Sequence, residues 1–506
     1  MSIEKYNWSE YLNGERERSS FVSKNRIKKK DFRNEFESDL GRVVFSAAVR
    51  RLHDKTQVVP LTIDDNVHSR LTHSLEVMNI GSSLVKGIFR HEGFISRYGR
   101  SEDIRDIEEQ AAAVVQTICM AHDIGNPPFG HFGEQVIQDY FTKYFTEHPG
   151  VLDEWTSADL DFIKFDGNAE GFRVLTKLQC LNDIHGLNLT YSTLAAYLKY
   201  PNWGDTDKKG GIAIHKHGVF LADKEIAGKA MQMSNCTSMS ESAYTRHPLS
   251  YIMEAADSIC YLTMDLEDAY NRKWVTRDEI INYYDNHRCK KDTDDSFEKR
   301  KALRNRILPS DKVKGHKWIV DFRVRSIEYF VTLVVNNFIA NFDAILTGKY
   351  QKELLDDDDT KMAKLFTDIC VNRVYAKTEV RTLEITGQSV INGLLDILIP
   401  LFLHEDKGFR DRGKSIVSPS IMRANILDYG IHSGSLKEEY REETHSVIYV
   451  ATDTKKEIDD LEQYCASFDV SKLNNYYKMR TIVDFVSSMT DQYAVKLYQK
   501  LSGQRL

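Results

Sequence analysis

Residues 111–121 are almost wholly apolar, and they run directly into His122-Asp123-Ile124-Gly125-Asn126-Pro127-Pro128. An apolar run of this length at helical spacing belongs inside a core, where a helix is hydrophobic all round. The prolines and glycine that follow cannot continue it. The chain must therefore bury a helix over residues 104–123 and stop it at a His-Asp pair. Gly125, Pro127, Pro128 and Gly130 then turn the chain tightly, and a further helix is expected from His131 to about Phe145. His131 and Glu134 stand at i and i+3, so they share one helix face. The loop carries a second histidine and a carboxylate back toward the first pair.

The rest of the chain reads as mainly α. Only 9 of its 506 residues are proline, and β-branched runs are short. Apolar spacing predicts helices over 74–92, beginning just after His73, and over 249–271, 317–347 and 387–403. Strand signals are confined to Gln57–Leu61 and Ser446–Thr452, which allows minor β-hairpins at most. The Asp356–Asp359 run marks a turn or exposed loop, and residues 201–218 form a loop or insertion. The first forty residues are polar and charged and are expected to wrap the surface. The reading divides the chain into a surface segment over 1–35, a core over 36–275 and a helical C-terminal region over 276–506.

Seventy-five acids against 68 bases leave a net charge of −7, so the chain as a whole does not attract nucleic acid. An anionic ligand must meet a local basic pocket. Lys24, Arg26, Lys28, Lys29 and Lys30 form one basic cluster, read as a solvated face, and Arg410, Arg412, Lys414 and Arg423 form another candidate for phosphate or DNA contact. Seven scattered cysteines with no C-x-x-C pair fit reduced thiols. The N-terminal residues lack the apolar stretch of a signal peptide, and the apolar run Gly393–Leu403 is too short to span a bilayer. These points predict a cytoplasmic protein with no membrane partner.

Four positions combine into a candidate metal centre. His73 opens one helix, His122 and Asp123 end another, and Asp257 lies in the helix over 249–271. Taken singly, each is more easily a surface or capping residue; His53-Asp54 repeats the same dipeptide elsewhere. Together, two imidazoles and two carboxylates suit Mn²⁺, Fe²⁺ or Mg²⁺ and leave positions open for water and a phosphate oxygen. Asp257, Tyr261 and Asp265 fall at i, i+4 and i+8, so they form one stripe.

The set His…His-Asp…Asp resembles the metal signature of the HD-domain phosphohydrolases. The longer segments Asp39–Val58, Thr72–Val77, His122–Glu134, Gly167–Gly171 and Met253–Asp257 resemble the bacterial deoxyguanosinetriphosphate triphosphohydrolases more specifically. The likeness runs in order over about residues 35–275 and resumes weakly near Gly387–Pro400 and Met489–Asp491. It implies an HD-domain helical fold with additional helices, in which 276–506 completes the substrate pocket and the oligomer contacts. It implies cleavage of dGTP, or of other dNTPs, at the α-phosphorus to give the deoxynucleoside and tripolyphosphate.

On this chain the resemblance implies metal ligation by His73, His122, Asp123 and Asp257, with His131 as the catalytic histidine and Glu134 orienting it. Gln57 and Asp265 would contact the sugar 3′-hydroxyl, and Tyr261 would exclude a 2′-hydroxyl. Asn168, Lys199, Tyr200 and Lys216 would hold the phosphates. Val58 and Glu384 would read the base, Glu384 by accepting from guanine N1–H and the 2-amino group. Mn²⁺ or Mg²⁺ is the implied cofactor, with Fe²⁺ the other option. The resemblance also implies a homo-oligomer, a hexamer by analogy, and single-stranded DNA as an activator. The family carries a His and a Glu before its Gly-Asn, where this chain has Phe165-Asp166. Competing readings are a broad-specificity dNTP triphosphohydrolase, an HD phosphodiesterase acting on other nucleotides, and a nucleic-acid-binding regulator with a vestigial site.

Overall fold

A computed structural model of the chain describes residues 8–20, 31–55, 57, 68–98, 102–152, 157–179, 184–441, 446–458 and 460–504. Among the described residues the fold is mainly α, with small antiparallel sheets only. Helix α1 (Arg70–Phe89) begins earlier than its apolar spacing suggests. Ser69 accepts from the Thr72 amide and Thr72 answers through its hydroxyl, a capping box that places His73 inside the first turn rather than ahead of it. Helix α2 (Glu102–Ala121) is the buried apolar helix, and Val114, Val115, Ile118 and Cys119 are fully enclosed. Helices α3 (Gly130–Glu147) and α4 (Gly167–Arg173) follow.

Helix α5 (Pro248–Asn271) is the axis of the molecule, packed against both α1 and α2. His247 caps its start and Pro248 occupies the first turn, where a missing N–H costs nothing. Against α5 lie α6 (His316–Ala340) and α7 (Met362–Arg373). The helix expected over 317–347 breaks at Asn341, where the Asn341 side chain donates to the Asn337 carbonyl, and resumes as Phe342–Leu346.

Helix α8 (Thr378–Leu403) starts well before residue 387, because Val380 and Gly387 bury ahead of the apolar run. It is the one described helix long and apolar enough to cross a membrane. Here it packs on α3, on α10 (Asn475–Ser487) and on Asp491–Leu501, and Leu394, Leu395, Leu398 and Phe402 are fully buried. Between α8 and α10 in sequence, α9 (Pro419–His432) also packs on α10.

Strand Ser446–Ala451 forms as expected, paired between Leu436–Arg441 and Lys456–Glu457, and a short hairpin joins Ser238–Ser240 to Ala243–Tyr244. The strand expected over Gln57–Leu61, the basic cluster Lys24–Lys30 and Val58 lie outside the described residues, apart from Gln57.

Two surface expectations fail for the same reason. Trp8, Tyr11 and Leu12 of the N-terminal segment are buried, with Trp8 packed 5.2 Å from the Phe89 ring and 6.3 Å from that of Phe342. Asp358 of the aspartate run is buried too, accepting from the Tyr329 hydroxyl and the Ala363 amide at the start of α7. In both cases single residues with a specific partner escape a reading based on the average polarity of the segment.

The C-terminal helices are tied to the first half through buried charge. Arg173 at the end of α4 donates to Asp484 of α10, Asp428 of α9, Asp223 and Asn425. Arg480 returns the link to Glu170 at 2.7 Å. These side chains have essentially no solvent exposure.

Candidate active site

The site forms where the end of α2, the start of α1 and the middle of α5 meet. The turn after α2 requires its glycines. A Cβ on Gly125 would stand 2.0 Å from the Gly171 nitrogen and 2.2 Å from the Gly167 carbonyl, so the loop is pressed against α4 backbone to backbone. Phe129 and Gly130 both have left-handed backbone, which reverses the chain into α3 within two residues. The Phe129 amide is held by Asp491 at 3.0 Å.

His122 Nδ1 lies 2.7 Å from the Cys119 carbonyl. A carbonyl only accepts, so Nδ1 carries the proton and Nε2 presents its lone pair. That Nε2 is buried without a hydrogen-bond partner among the described residues, 3.6 Å from Asp257 Oδ1. His73 Nε2 lies 3.1 Å from the same oxygen. Donor atoms of His73, His122 and Asp257 all fall within 4.8 Å of one another. A lone pair facing a carboxylate oxygen in a buried place is repulsive unless a cation lies between them. The donor set therefore fits a divalent ion, and its nitrogen and oxygen atoms suit a transition metal or magnesium better than a thiol-selective ion.

Asp123 stands beside this cluster. Its Oδ2 is 3.6 Å from His122 Nε2 and accepts from Arg70 Nη1 at 2.7 Å, while Oδ1 accepts from Asn126 at 2.5 Å. Against its burial, the Arg70 guanidinium holds the Asp123 carboxyl well below the usual carboxylate range. Asp257 is depressed likewise against its burial, by the His73 hydrogen bond and the Lys199 charge.

A cleft of about 560 Å³ opens over these residues. His131 sits in its wall with a 76% exposed side chain, its Nδ1 2.9 Å from Glu134 Oε2. The other Glu134 oxygen accepts from the Gly167 amide at 2.9 Å. Glu134 is thus fixed from both sides, and the ring presents Nε2 to the cleft. The carboxylate charge, then its hydrogen bond, raise the His131 pKa.

The cleft also gathers Gln57, Asn168, Lys199, Tyr200, Lys216, Tyr261, Asp265 and Glu384. Gln57 Oε1 is buried without a partner among the described residues. Lys199 Nζ lies 3.5 Å from Glu254 and 3.9 Å from Asp257, and Lys216 Nζ lies 5.6 Å from the centre of the Tyr200 ring. Burial pushes the Asp265 carboxyl up to about 6, opposed by the hydrogen bond it accepts from Tyr375 at 2.6 Å. Among all these positions only Val58 lacks a described place.

Residues 70–154 of the chain match the HD domain, and residues 431–500 match the phosphohydrolase-associated domain. Over 503 residues the chain is 32% identical to the deoxyguanosinetriphosphate triphosphohydrolase of Yersinia pestis (strain Pestoides F), covering 92% of this chain and 93% of that protein. Over 513 residues it is 30% identical to a deoxyguanosinetriphosphate triphosphohydrolase-like protein of Listeria monocytogenes serovar 1/2a (strain ATCC BAA-679 / EGD-e), covering 98% and 99%. The chain belongs to the deoxyguanosinetriphosphate triphosphohydrolase family.

As a member of that family the protein is an HD-type hydrolase, and the cleft shows what its sequence conceals. Asp166, where the family pattern has Glu, is a buried anchor. Its Oδ1 accepts from the Asn168 amide and side chain at 2.9 and 2.6 Å, and its Oδ2 accepts from Lys216 at 2.7 Å. Asp166→Ala should release Lys216, raising KM for an anionic substrate about tenfold, or about 1.4 kcal/mol, with little change in kcat. Steady-state kinetics on the purified variant check this; an unchanged KM would remove Asp166 from substrate binding.

Arg70, Glu353 and Tyr375 also line the cleft, and sequence reasoning did not single them out. Arg70 adjoins Thr72-His73 and was within reach of motif reading. Glu353 and Tyr375 come from a region with no local signal. The basic group near residue 410 is largely committed to structure. Arg410 donates to the carbonyls of His404 and Glu405, Lys414 to those of Cys465, Ala466 and Phe468, and Arg423 pairs with Glu462.

Proposed function

We propose that this enzyme hydrolyses dGTP to deoxyguanosine and tripolyphosphate. The observation that carries the proposal is the meeting, in one cleft, of the His73–His122–Asp257 cluster, the His131–Glu134 pair and the Tyr261–Asp265–Tyr375 wall. A divalent ion, Mn²⁺ or Mg²⁺ with Fe²⁺ as the other option, when bound by His73, His122 and Asp257 with Asp123 alongside, supplies positive charge that stabilises phosphoryl oxygens and acidifies water.

The protein's own groups do the rest. Lys199, Lys216, Asn168, Tyr200 and Arg70 offer donors to a triphosphate, which a chain of net charge −7 must hold locally. Asp265, fixed by Tyr375, and Gln57 accept from or donate to the sugar 3′-hydroxyl. The Tyr261 ring fills the place of a 2′-hydroxyl. In the reaction a water oxygen bonds to the α-phosphorus and gives up a proton to solvent, the P–O5′ bond breaks, and His131 gives its proton to the departing 5′-oxygen and regains one from solvent. Glu134 keeps that imidazole oriented and protonated. Glu384 and Val58 would select guanine.

Glu353, Tyr375, Val380 and Glu384 reach the cleft from beyond residue 276, which supports a division into a catalytic core over 36–275 and a C-terminal region that completes the pocket. Family analogy adds a cytoplasmic homo-oligomer, hexameric, with single-stranded DNA as activator.

A panel of the four dNTPs and GTP, assayed with Mn²⁺ and with Mg²⁺ in the presence and absence of single-stranded DNA, tests the reading by product. Tripolyphosphate and deoxyguanosine are expected; diphosphate with a nucleoside monophosphate would overturn it. Glu134→Gln supplies a pH test. A raised pKa keeps His131 protonated to higher pH, and activity falls as pH rises through that pKa. Removing the Glu134 charge lowers it, so the alkaline limb of kcat should move to lower pH. A limb that stays in place would remove His131 from the proton transfer.

A further inference from the structure

His287, Cys289 and Asp368 do not line the cleft, yet they form a grouping of the same tightness as the HD cluster. An imidazole nitrogen, the Cys289 sulfur and a carboxylate oxygen all fall within 4.8 Å of one another. His287 follows helix Arg277–Asn286 as its C-cap, and Asp368 projects from α7. His287 Nε2 is 3.0 Å from Asp368 Oδ2. The geometry points to a second cation site, of the zinc class, held by His287, Cys289 and Asp368.

The turn that carries two of these residues is rigid before any ion arrives. Arg300 and Asp292 form a buried pair at 2.9 Å. Arg300 also donates to the His287 carbonyl at 2.9 Å, and Asp292 accepts from the Cys289 amide at 2.8 Å. Supporting bonds of this kind orient ligands around a metal. Zinc–ligand bonds of about 2.0–2.3 Å place ligand atoms about 3.3–3.7 Å apart in a tetrahedron, so small side-chain rotations close the present envelope. Cys289 is 5% exposed, while the side chains of His287 and Asp368 are 29% and 18% exposed. The fourth position is therefore open to water.

The chemistry differs from that of the HD cluster, which has no sulfur donor. A thiolate selects zinc over magnesium or manganese. A thiolate ligand forms when a cation replaces the thiol proton. Thiolate and carboxylate together balance the charge of the ion. Lys364 already binds Asp368 at 2.9 Å, but through Oδ1, so it does not compete for Oδ2, the oxygen that faces His287 Nε2. Such an ion would join the turn after Asn286 to α7. The chain leaving α7 delivers Tyr375, whose amide returns to the Cys370 carbonyl and whose hydroxyl holds Asp265 in the cleft.

The test is a Co²⁺ titration of the chelator-stripped full chain, followed by absorbance. A thiolate-to-cobalt charge-transfer band in the near ultraviolet is expected, and added Zn²⁺ should bleach it. Cys289→Ser should abolish the band. Asp368→Asn should raise the Co²⁺ concentration for half-saturation by at least about tenfold. His122→Ala should keep the band, since that residue belongs to the other cluster. Far-ultraviolet circular dichroism establishes that each variant is folded. Absence of the band in the parent protein, its survival in Cys289→Ser, or its loss in His122→Ala would overturn the assignment and leave a His–Asp ion pair beside a buried thiol.

Discussion

Asp257→Asn is expected to lower kcat for dGTP by at least about 10³-fold and to abolish tight binding of the divalent ion. The substitution keeps shape and removes charge. Asp257 Oδ1 is the one oxygen that faces both imidazoles, at 3.1 Å from His73 and 3.6 Å from His122, and Oδ2 lies 3.9 Å from Lys199. Without the charge the two imidazoles lose the anion that lets a dication settle between them, and Lys199 loses one of its two carboxylate neighbours. Metal content by elemental analysis and turnover of dGTP, measured on the same preparation, separate the effects. A variant that retained its ion and more than about a tenth of kcat would show that the cluster does not support the chemistry.

Arg173→Ala should destabilise the molecule by about 3–5 kcal/mol, because it strips a buried cation from several carboxylates at once. Arg173 meets Asp223, Asp428 and Asp484 at 3.0–3.2 Å. Arg480 and Lys177 remain, but they already pair with Glu170, Asp484 and Asp428. Burial already pushes the Asp223 carboxyl up to about 6, and loss of the guanidinium would push it further. Part of the penalty will then appear as proton uptake on folding. Because the cluster joins α4 to α9 and α10, amide exchange should rise first in Pro419–His432 and Asn475–Ser487. Thermal denaturation with exchange mass spectrometry tests both statements; an unchanged midpoint with unchanged exchange would refute the assigned role.

The centre was legible in sequence where its causes are local. The apolar run ending at His122, the Gly-Pro turn and the i, i+3 spacing of His131 and Glu134 each act over a few residues, and the His131–Glu134 contact follows from that spacing at 2.9 Å. The stripe Asp257–Tyr261–Asp265 follows from helical periodicity in the same way. Trp8 is 2% exposed, and one aromatic in a charged segment is invisible to an average over that segment. Tyr375 gave no signal, since its partner Asp265 is 110 positions away in the chain. Asp166 looked like a departure from a motif, and only its contacts with Asn168 and Lys216 give it a purpose.

The sequence by itself therefore determined a mainly helical chain, the stop after α2 and the set of side chains able to hold a cation and move a proton. Periodicity, breakers and donor chemistry are properties of short windows, and they survive without a fold. Tertiary structure decided which of those groups converge. It brought His73, His122 and Asp257 within 4.8 Å, set Asp123 beside them against Arg70, and closed the cleft with residues from beyond 350. Convergence depends on how α1, α2 and α5 pack, a matter of side-chain shape and buried charge summed over the whole core, which no window of sequence contains.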